Sequence, residues 1–155
     1  MNIFNPQLCI SKELTNSWAA HIESLTPNKV PIEILEGVPR LKLVHSASAP
    51  ENWFAIAIPL SPTWAPQDLQ PYRSLCFTIV AAEGSGGVVR LEDGAGSESL
   101  DFNFSSLLKR EGEEASIEIP LGDFGESLDI TSIKLIKFIG YKNSAFYISQ
   151  IYASP

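Results

Sequence analysis

Cysteine is nearly absent from this chain of 155 residues, with Cys9 and Cys76 alone. No C-x-x-C pair and no histidine at ligand spacing accompanies them, so neither a zinc site nor a disulfide framework is indicated. A single Cys9–Cys76 bridge stays open, although the alternation of Leu75, Cys76 and Phe77 favours an ordinary buried thiol. Histidine is equally scarce: His21 and His45 fall in different expected elements, and no Ser or Cys sits in a G-x-S-x-G elbow. Nucleophilic catalysis therefore has no visible machinery. Basic residues are few, 11 Lys plus Arg against 18 Asp plus Glu, for a net charge of −7. A phosphate-coated partner would be repelled over most of such a surface, which argues against nucleic acid. No apolar run approaches the ~20 residues of a membrane-spanning helix, so no membrane partner is expected. The start of the chain also lacks the basic and apolar segments of a secretory signal. As written the chain reads as cytoplasmic; as an excised module of a secreted protein it would be extracellular, and the sequence leaves both open.

What the chain does have is apolar content and turns. Hydrophobic residues make up 45% and charged residues 19%, which excludes a disordered chain. Its length suits one domain over 1–155, able to bury roughly 68–70% of its unfolded surface. Period-two alternation recurs in short runs, the pattern of antiparallel strands. Phe54, Ile56, Ile58 and Leu60 alternate with Trp53, Ala55, Ala57 and Pro59. Leu75 to Ala81 alternates likewise, and the turn at 83–87 leads into Val88 to Glu92, which predicts a hairpin. Leu100, Phe102 and Phe104, then Ile117 and Ile119, present one greasy and one polar face. Ile133 to Ile139 and Ala145 to Tyr152 form the expected last strands, and Ile32–Ile34 with Leu41–Leu43 another hairpin about Glu36–Pro39. Helical signals are confined to a turn or two in Ser105–Gly112 and a short amphipathic run in Glu13–Ser24, with Leu14, Trp18 and Ile22 on one side. Eight or nine strands at this spacing predict an all-β fold, a two-sheet antiparallel jelly-roll β-sandwich with one or two short helical turns.

Several of these pieces recur in order. Trp53 to Leu60, the stretch Asp68-Leu69-Gln70-Pro71-Tyr72-Arg73-Ser74-Leu75-Cys76-Phe77-Thr78-Ile79, then Val89 to Asp93, Ile117 to Phe124 and Leu128 to Ile133 follow one another at characteristic spacing. In that succession the chain resembles the carbohydrate-binding-module type of galactose-binding-like jelly roll, from about Trp53 to Tyr152. The resemblance implies a non-catalytic module that recognises polysaccharide or oligosaccharide. Intermediate-associated assembly factors share the sandwich, so an intracellular protein partner is the alternative. In many such modules a last-strand Asp helps hold a structural calcium. Here the matching stretch is Tyr147-Ile148-Ser149-Gln150-Ile151, which offers no carboxylate. The metal is therefore not carried over, and no cofactor is expected; any calcium would need charge from Glu13, Glu23 or Asp101.

The residues themselves favour binding over reaction. A glycosidase needs two carboxyls facing one substrate, whereas adjacent Glu92 and Asp93 on a strand point to opposite faces and Glu113-Glu114 reads as a solvated loop. The glycines at 84–87 lack the Lys-Ser/Thr of a phosphate loop and suit a turn. With Val89 and Leu91 turned inward, Arg90 and Glu92 face out together; with Phe102 and Phe104 inward, so do Asp101 and Asn103. Planar hydrogen-bonding groups beside an aromatic platform match a pyranose, which carries hydroxyls on its edge and C–H groups on its face. Trp53, Trp64, Tyr141 and Tyr147 are the candidate platforms, and Arg90, Glu92, Asp101 and Asn103 the candidate polar contacts.

Overall fold

Apolar and polar side chains alternate most regularly in Glu114–Pro120, where Ala115, Ile117 and Ile119 are buried while Glu114, Ser116 and Glu118 are exposed. Such a segment satisfies its backbone and buries one face only as a strand in a packed sheet. The structure, a computed structural model, describes residues 1–4, 18–20, 32–35, 37–61, 63–82, 85–108, 110–142 and 144–155. Among these the strands are β1 (Asn2–Phe4), β2 (Trp18–Ala20), β3 (Ile32–Leu35), β4 (Val38–Val44), β5 (Trp53–Pro59), β6 (Ser74–Ala81), β7 (Gly87–Asp93), β8 (Phe102–Asn103), β9 (Glu114–Pro120), β10 (Ile133–Tyr141) and β11 (Ala145–Ser154). They form two antiparallel sheets. One runs β3-β4-β11-β6-β9, with β1 also paired to β11; the other runs β2-β5-β10-β7-β8.

This is the all-β sandwich that the alternation predicts. The hairpin between β3 and β4 is present, with Leu35 opposite Val38 and Gly37 at a φ of +77°. Its turn is tighter than the Glu36–Pro39 expected, because Val38 and Pro39 already belong to β4. Two other expectations need correction, while the turn or two of helix expected in Ser105–Gly112 is present. β6 and β7 do not form a hairpin, since they lie in different sheets. Between them Ser85 and Gly86 bond to the start of β11: Ser85 Oγ donates to Ala145 O at 3.0 Å, and Ser144 Oγ donates to Gly86 O at 3.0 Å. The connection spends its polar groups on crossing between sheets. Trp18–Ala20 is strand, not helix, and pairs with β5 at Trp18↔Ala57; the rest of Glu13–Ser24 lies outside the described residues. In Ser105–Gly112 the helix is a single 3-10 turn at Ser105–Leu107.

Between the sheets sits a core rich in phenylalanine. Phe54 and Phe138 come from one sheet, Phe77 and Phe146 from the other, and Phe104 follows β8; all five are at most 1% exposed. Phe77 meets Phe138 edge-on at 5.2 Å and Phe104 at 5.5 Å, while Phe54 and Phe146 lie 5.6 Å apart. Edge-to-face contacts of this kind add about 0.5–1.5 kcal/mol each beyond burial. Gly87 and Gly140 are paired across β7 and β10 at the end of this cluster. A Cβ on Gly140 would fall on the Phe54 ring and lie 2.9 Å from Phe146 Cζ; one on Gly87 would lie 2.9 Å from Phe104 Cζ and from Phe146 Cζ. Glycine at both positions makes space for the rings. Cys76 is a free, buried thiol. Burial pushes its pKa up against a lowering hydrogen bond with Tyr152, so it behaves as the small hydrophobe expected.

One buried carboxylate shapes the chain beyond β7. Asp93 Oδ1 accepts from Ala95 N at 3.0 Å and Ser97 N at 2.9 Å, and Oδ2 accepts from Asp129 N at 3.2 Å. The turn it holds sends the chain back beside β7, where Ser99 N donates to Leu91 O at 2.9 Å. Burial raises the Asp93 pKa, but the backbone donors of Asp129, Ser97, Ala95 and Gly96 outweigh it and hold the carboxyl below its ordinary 3.8.

Two outcomes follow. Gly140→Ala should cost about 1–3 kcal/mol or more through overpacking against Phe54, read as a lowered melting temperature; an unchanged melting temperature would contradict the packing described. A depressed carboxyl stabilises the fold above its unfolded pKa and loses that contribution as pH falls through its folded value. Acid unfolding monitored by circular dichroism should therefore show wild type losing stability below pH 3.8, while Asp93→Asn is less stable at neutral pH and flatter across that limb.

Candidate functional site

With Phe138, Ile136 and Gly140 turned toward the core, the intervening β10 residues Lys137, Ile139 and Tyr141 face outward. Their cross-strand neighbours share that face. Lys137 stands opposite Arg90 and Ala57, Ile139 opposite Val88 and Ala55, and Tyr141 opposite Trp53. β8 adds Asn103 opposite Val88. The returning segment after β7 brings Glu98 and Asp101 to the same surface.

The charged residues at its centre are bonded to one another. Arg90 Nε donates to Asp101 Oδ1 at 2.7 Å and Arg90 Nη1 to Glu98 Oε2 at 2.9 Å. Lys137 Nζ lies 2.5 Å from both Glu92 Oε2 and Glu98 Oε1. Glu98 thus bridges the two cations. The hydrogen bond from Lys137 lowers the Glu98 pKa below its ordinary 4.5 against partial desolvation, with the charges of Lys137 and Arg90 acting in the same sense. Desolvation lowers the Lys137 pKa, but hydrogen bonds to Glu92 and Glu98 outweigh it and raise the ammonium above its ordinary 10.5. Two cations and three carboxylates leave this cluster at 2 − 3 = −1. Each side chain is held by at least one neighbour, yet the cluster stays open to water, with Asp101 46% and Glu98 39% exposed. Such a pre-ordered set offers hydrogen bonds to a polar neutral ligand at little cost in side-chain freedom.

Aromatic residues bracket the cluster. Tyr141, 48% exposed, pairs with partly buried Trp53 where β10 ends. Trp64 lies in the loop after β5, which runs beside the start of β10: Leu60 N donates to Lys134 O at 3.0 Å and Gln67 N to Ile133 O at 2.7 Å. Trp64 has a φ of +64°, the one non-glycine residue in the left-handed region among those described. A bulky residue there costs about 1–3 kcal/mol and persists where the surroundings hold it; here Trp64 N donates to Ser61 O at 2.9 Å. The nine residues of β10 between these two ends span about 27 Å.

Of the residues singled out in the sequence, Trp53, Arg90, Glu92, Asp101, Asn103 and Tyr141 share this sheet, and Trp64 lies at its far end. Asn103 is committed locally, its Oδ1 accepting from Ser105 N at 2.9 Å. Tyr147 belongs to the opposite sheet, where β11 sets it opposite Lys42 and Val80, and it faces away from the core because its neighbours Phe146 and Ile148 are the buried ones. Sequence reasoning missed Lys137 and Glu98. The lysine was findable, since Ile136-Lys137-Phe138 alternates and puts 137 on the face of 141; Glu98 reaches the cluster through a loop no periodicity describes. It also placed Trp18 in a helix, whereas β2 sets that residue opposite Ala57.

Among the described residues no three acids, histidines or cysteines gather as ligands for a metal ion. In the last strand Ser149 and Gln150 stand where a carboxylate would be needed, and Asp101 is bonded to Arg90. Glu13 and Glu23 lie outside the described residues. The acids of the face, Glu92, Glu98 and Asp101, are each bonded to a cation.

Residues 7–155 match the family described as Carbohydrate binding domain 30. No curated protein matches the chain. Among solved structures it is similar to the family 30 carbohydrate-binding module of the cellulosomal cellulase Cel9D-Cel44B of Clostridium thermocellum, with 19% identity and a TM-score of 0.75 over 97% of this chain and 94% of that one. The family 11 module of cellulosomal cellulase Lic26A-Cel5E of the same organism shows 15% identity and a TM-score of 0.58, covering 90% and 86%. An exo-β-agarase carries a similar sandwich within a longer chain: 15% identity, a TM-score of 0.66, all of this chain and 25% of that one. With the family matched along nearly its whole length, the chain belongs to the family 30 carbohydrate-binding modules.

Proposed function

We propose that this module holds its saccharide on the outward face of the β2-β5-β10-β7-β8 sheet. The observation that carries the reading is the Arg90–Asp101–Glu98–Lys137–Glu92 cluster, charged, bonded and water-exposed, set between Tyr141–Trp53 at one end and Trp64 at the other. Aromatic faces stack on the C–H face of a pyranose, and the cluster's oxygens and N–H groups meet the hydroxyls along its edge. A distance of about 27 Å between the ends suits a chain of linked rings better than a single sugar. Relatives named as parts of cellulases support a neutral β-glucan as the ligand, and a cluster with a net charge of −1 suits a neutral polymer better than a polyanion. Binding is the whole activity: the module anchors a polysaccharide and leaves its bonds intact. Tyr147, on the opposite sheet, takes no part. A protein partner, which the same sandwich could also suit, is disfavoured by the family assignment.

Calorimetry with cello-oligosaccharides tests the assignment. Tyr141→Ala and Arg90→Ala should each weaken binding about tenfold, the scale of one lost stacking or charge-assisted contact. Tyr147→Ala should bind as wild type does. Weakening by Tyr147→Ala alone would move the site to the other sheet.

The pH profile gives a second check. Glu98, depressed, keeps its charge above pH 4.5 and loses it as pH falls through its lower folded value; Lys137, raised, keeps its charge below pH 10.5 and loses it above. Affinity should be flat across the interval between and fall outside it. A midpoint near neutrality would contradict a face organised by these pairs.

A further inference from the structure

The chain that returns beside β7 changes register by one residue on its way to β8. Glu98 stands opposite Glu92, whereas Phe102 stands opposite Val89 and Asn103 opposite Val88. Four steps along the returning chain therefore answer three along β7, which is the pattern of a β-bulge. The extra residue is Leu100. Its N–H leaves the β7 ladder to donate to Phe124 O at 3.0 Å, and its side chain is 63% exposed.

The consequence falls on Arg90. Directly opposite residues of an antiparallel pair share a face, and a slip of one residue exchanges the faces. Continued without the bulge, the register of Glu98 would set Leu100 opposite Arg90 and turn Asp101 toward the core with Val89. With the bulge, the register of β8 sets Asp101 opposite Arg90. Glu98 and Asp101, three residues apart, then reach one guanidinium, at 2.9 and 2.7 Å. In a regular strand residues at that spacing point to opposite faces.

Ser99, 9% exposed, holds the bulge. Its N–H donates to Leu91 O at 2.9 Å. Its hydroxyl accepts from Leu91 N at 2.9 Å, in the place that a backbone carbonyl fills in a regular ladder, and donates to Leu100 O at 2.8 Å. Among the described residues that hydroxyl bonds to backbone and to no member of the charged cluster.

We infer that Ser99 is a positioning residue for saccharide binding: by fixing the bulge it brings both carboxylates to Arg90 and so holds the guanidinium ready for sugar hydroxyls. The inference rests on the sheet-face reading and deepens it, from the groups that meet the ligand to the one that aims them. Alanine at this position leaves the charges untouched but frees the segment that carries them, so the ligand has to order Arg90 at the expense of affinity.

Calorimetry with cello-oligosaccharides tests this on the intact chain. Ser99→Ala should bind about three- to tenfold more weakly than wild type, and Ser99→Thr, which keeps the hydroxyl, should recover most of the loss. In an Arg90→Ala background the Ser99→Ala change should cost nothing further, because its effect passes through Arg90; a general loss of stability would add to it instead. The Arg90 Nε–H signal in NMR spectra, protected in wild type by Asp101, should broaden in Ser99→Ala without ligand. A further readout needs no variant. Saccharide bound at Arg90 favours the closed bulge by linkage, so it should slow hydrogen exchange at the Leu91 amide more than at amides of the opposite sheet. Wild-type affinity in Ser99→Ala, losses that add to those of Arg90→Ala, an unchanged Arg90 signal, or a Leu91 amide indifferent to bound saccharide would each overturn the inference and leave the sheet-face reading standing. If no oligomer binds wild type, or Tyr141→Ala changes nothing, the sheet-face reading fails and takes this inference with it.

Discussion

The interlocking of five phenylalanines between the two sheets decides what every other strand position does. Because Phe54 and Phe138 must point inward to meet Phe77, Phe104 and Phe146, period-two geometry turns Trp53, Lys137 and Tyr141 outward. A slip of one residue in β10 would bury a lysine and expose a phenylalanine. Burying an unpaired ammonium costs several kcal/mol in desolvation, so register is strongly held. The glycines at 87 and 140 belong to the same constraint, since the rings occupy the space their side chains would need. Core packing thus positions the outward face.

On that face, order comes from electrostatics. Lone exposed ion pairs contribute little to stability, about 0–1 kcal/mol. Their value here is different, because Glu98 holds Arg90 and Lys137 together and removes rotamers that a ligand would otherwise have to freeze. Glu98 depends in turn on the turn held by Asp93, a residue facing the other way. A buried carboxylate with three backbone donors therefore supports a surface it does not touch. The face is organised from beneath, and its affinity for saccharide should follow from that pre-ordering as much as from the number of contacts.

Much of this was legible in the sequence because strands write their faces in alternation. The all-β class, the positions of β4, β5, β6, β7, β9, β10 and β11, and the outward turn of Arg90 with Glu92 and of Asp101 with Asn103 all follow from periods of two. What was not legible came from contacts made across long separations. The glycine-rich stretch before Val88 looked like a hairpin turn, since local chemistry cannot say whether the next strand pairs with the last or crosses to the other sheet; the bonds of Ser85 and Gly86 to β11 decide that. Trp18–Ala20 carries too short a pattern to distinguish strand from helix, and only β5 as a partner resolves it. Tyr147 and Tyr141 looked alike as platforms because alternation assigns a side chain to a face, not to one of two sheets. Glu98 escaped because loops have no period.

The central claim is that one named sheet face holds the saccharide. Titration of the isotopically labelled chain with a soluble cello-oligosaccharide, followed by amide and side-chain NMR shifts, addresses it most directly. The account expects the shifts to cluster on Trp53, Trp64, Arg90, Asp101, Lys137 and Tyr141. Shifts gathered instead on Lys42, Tyr147 and Tyr152 would place the ligand on the opposite sheet and contradict it.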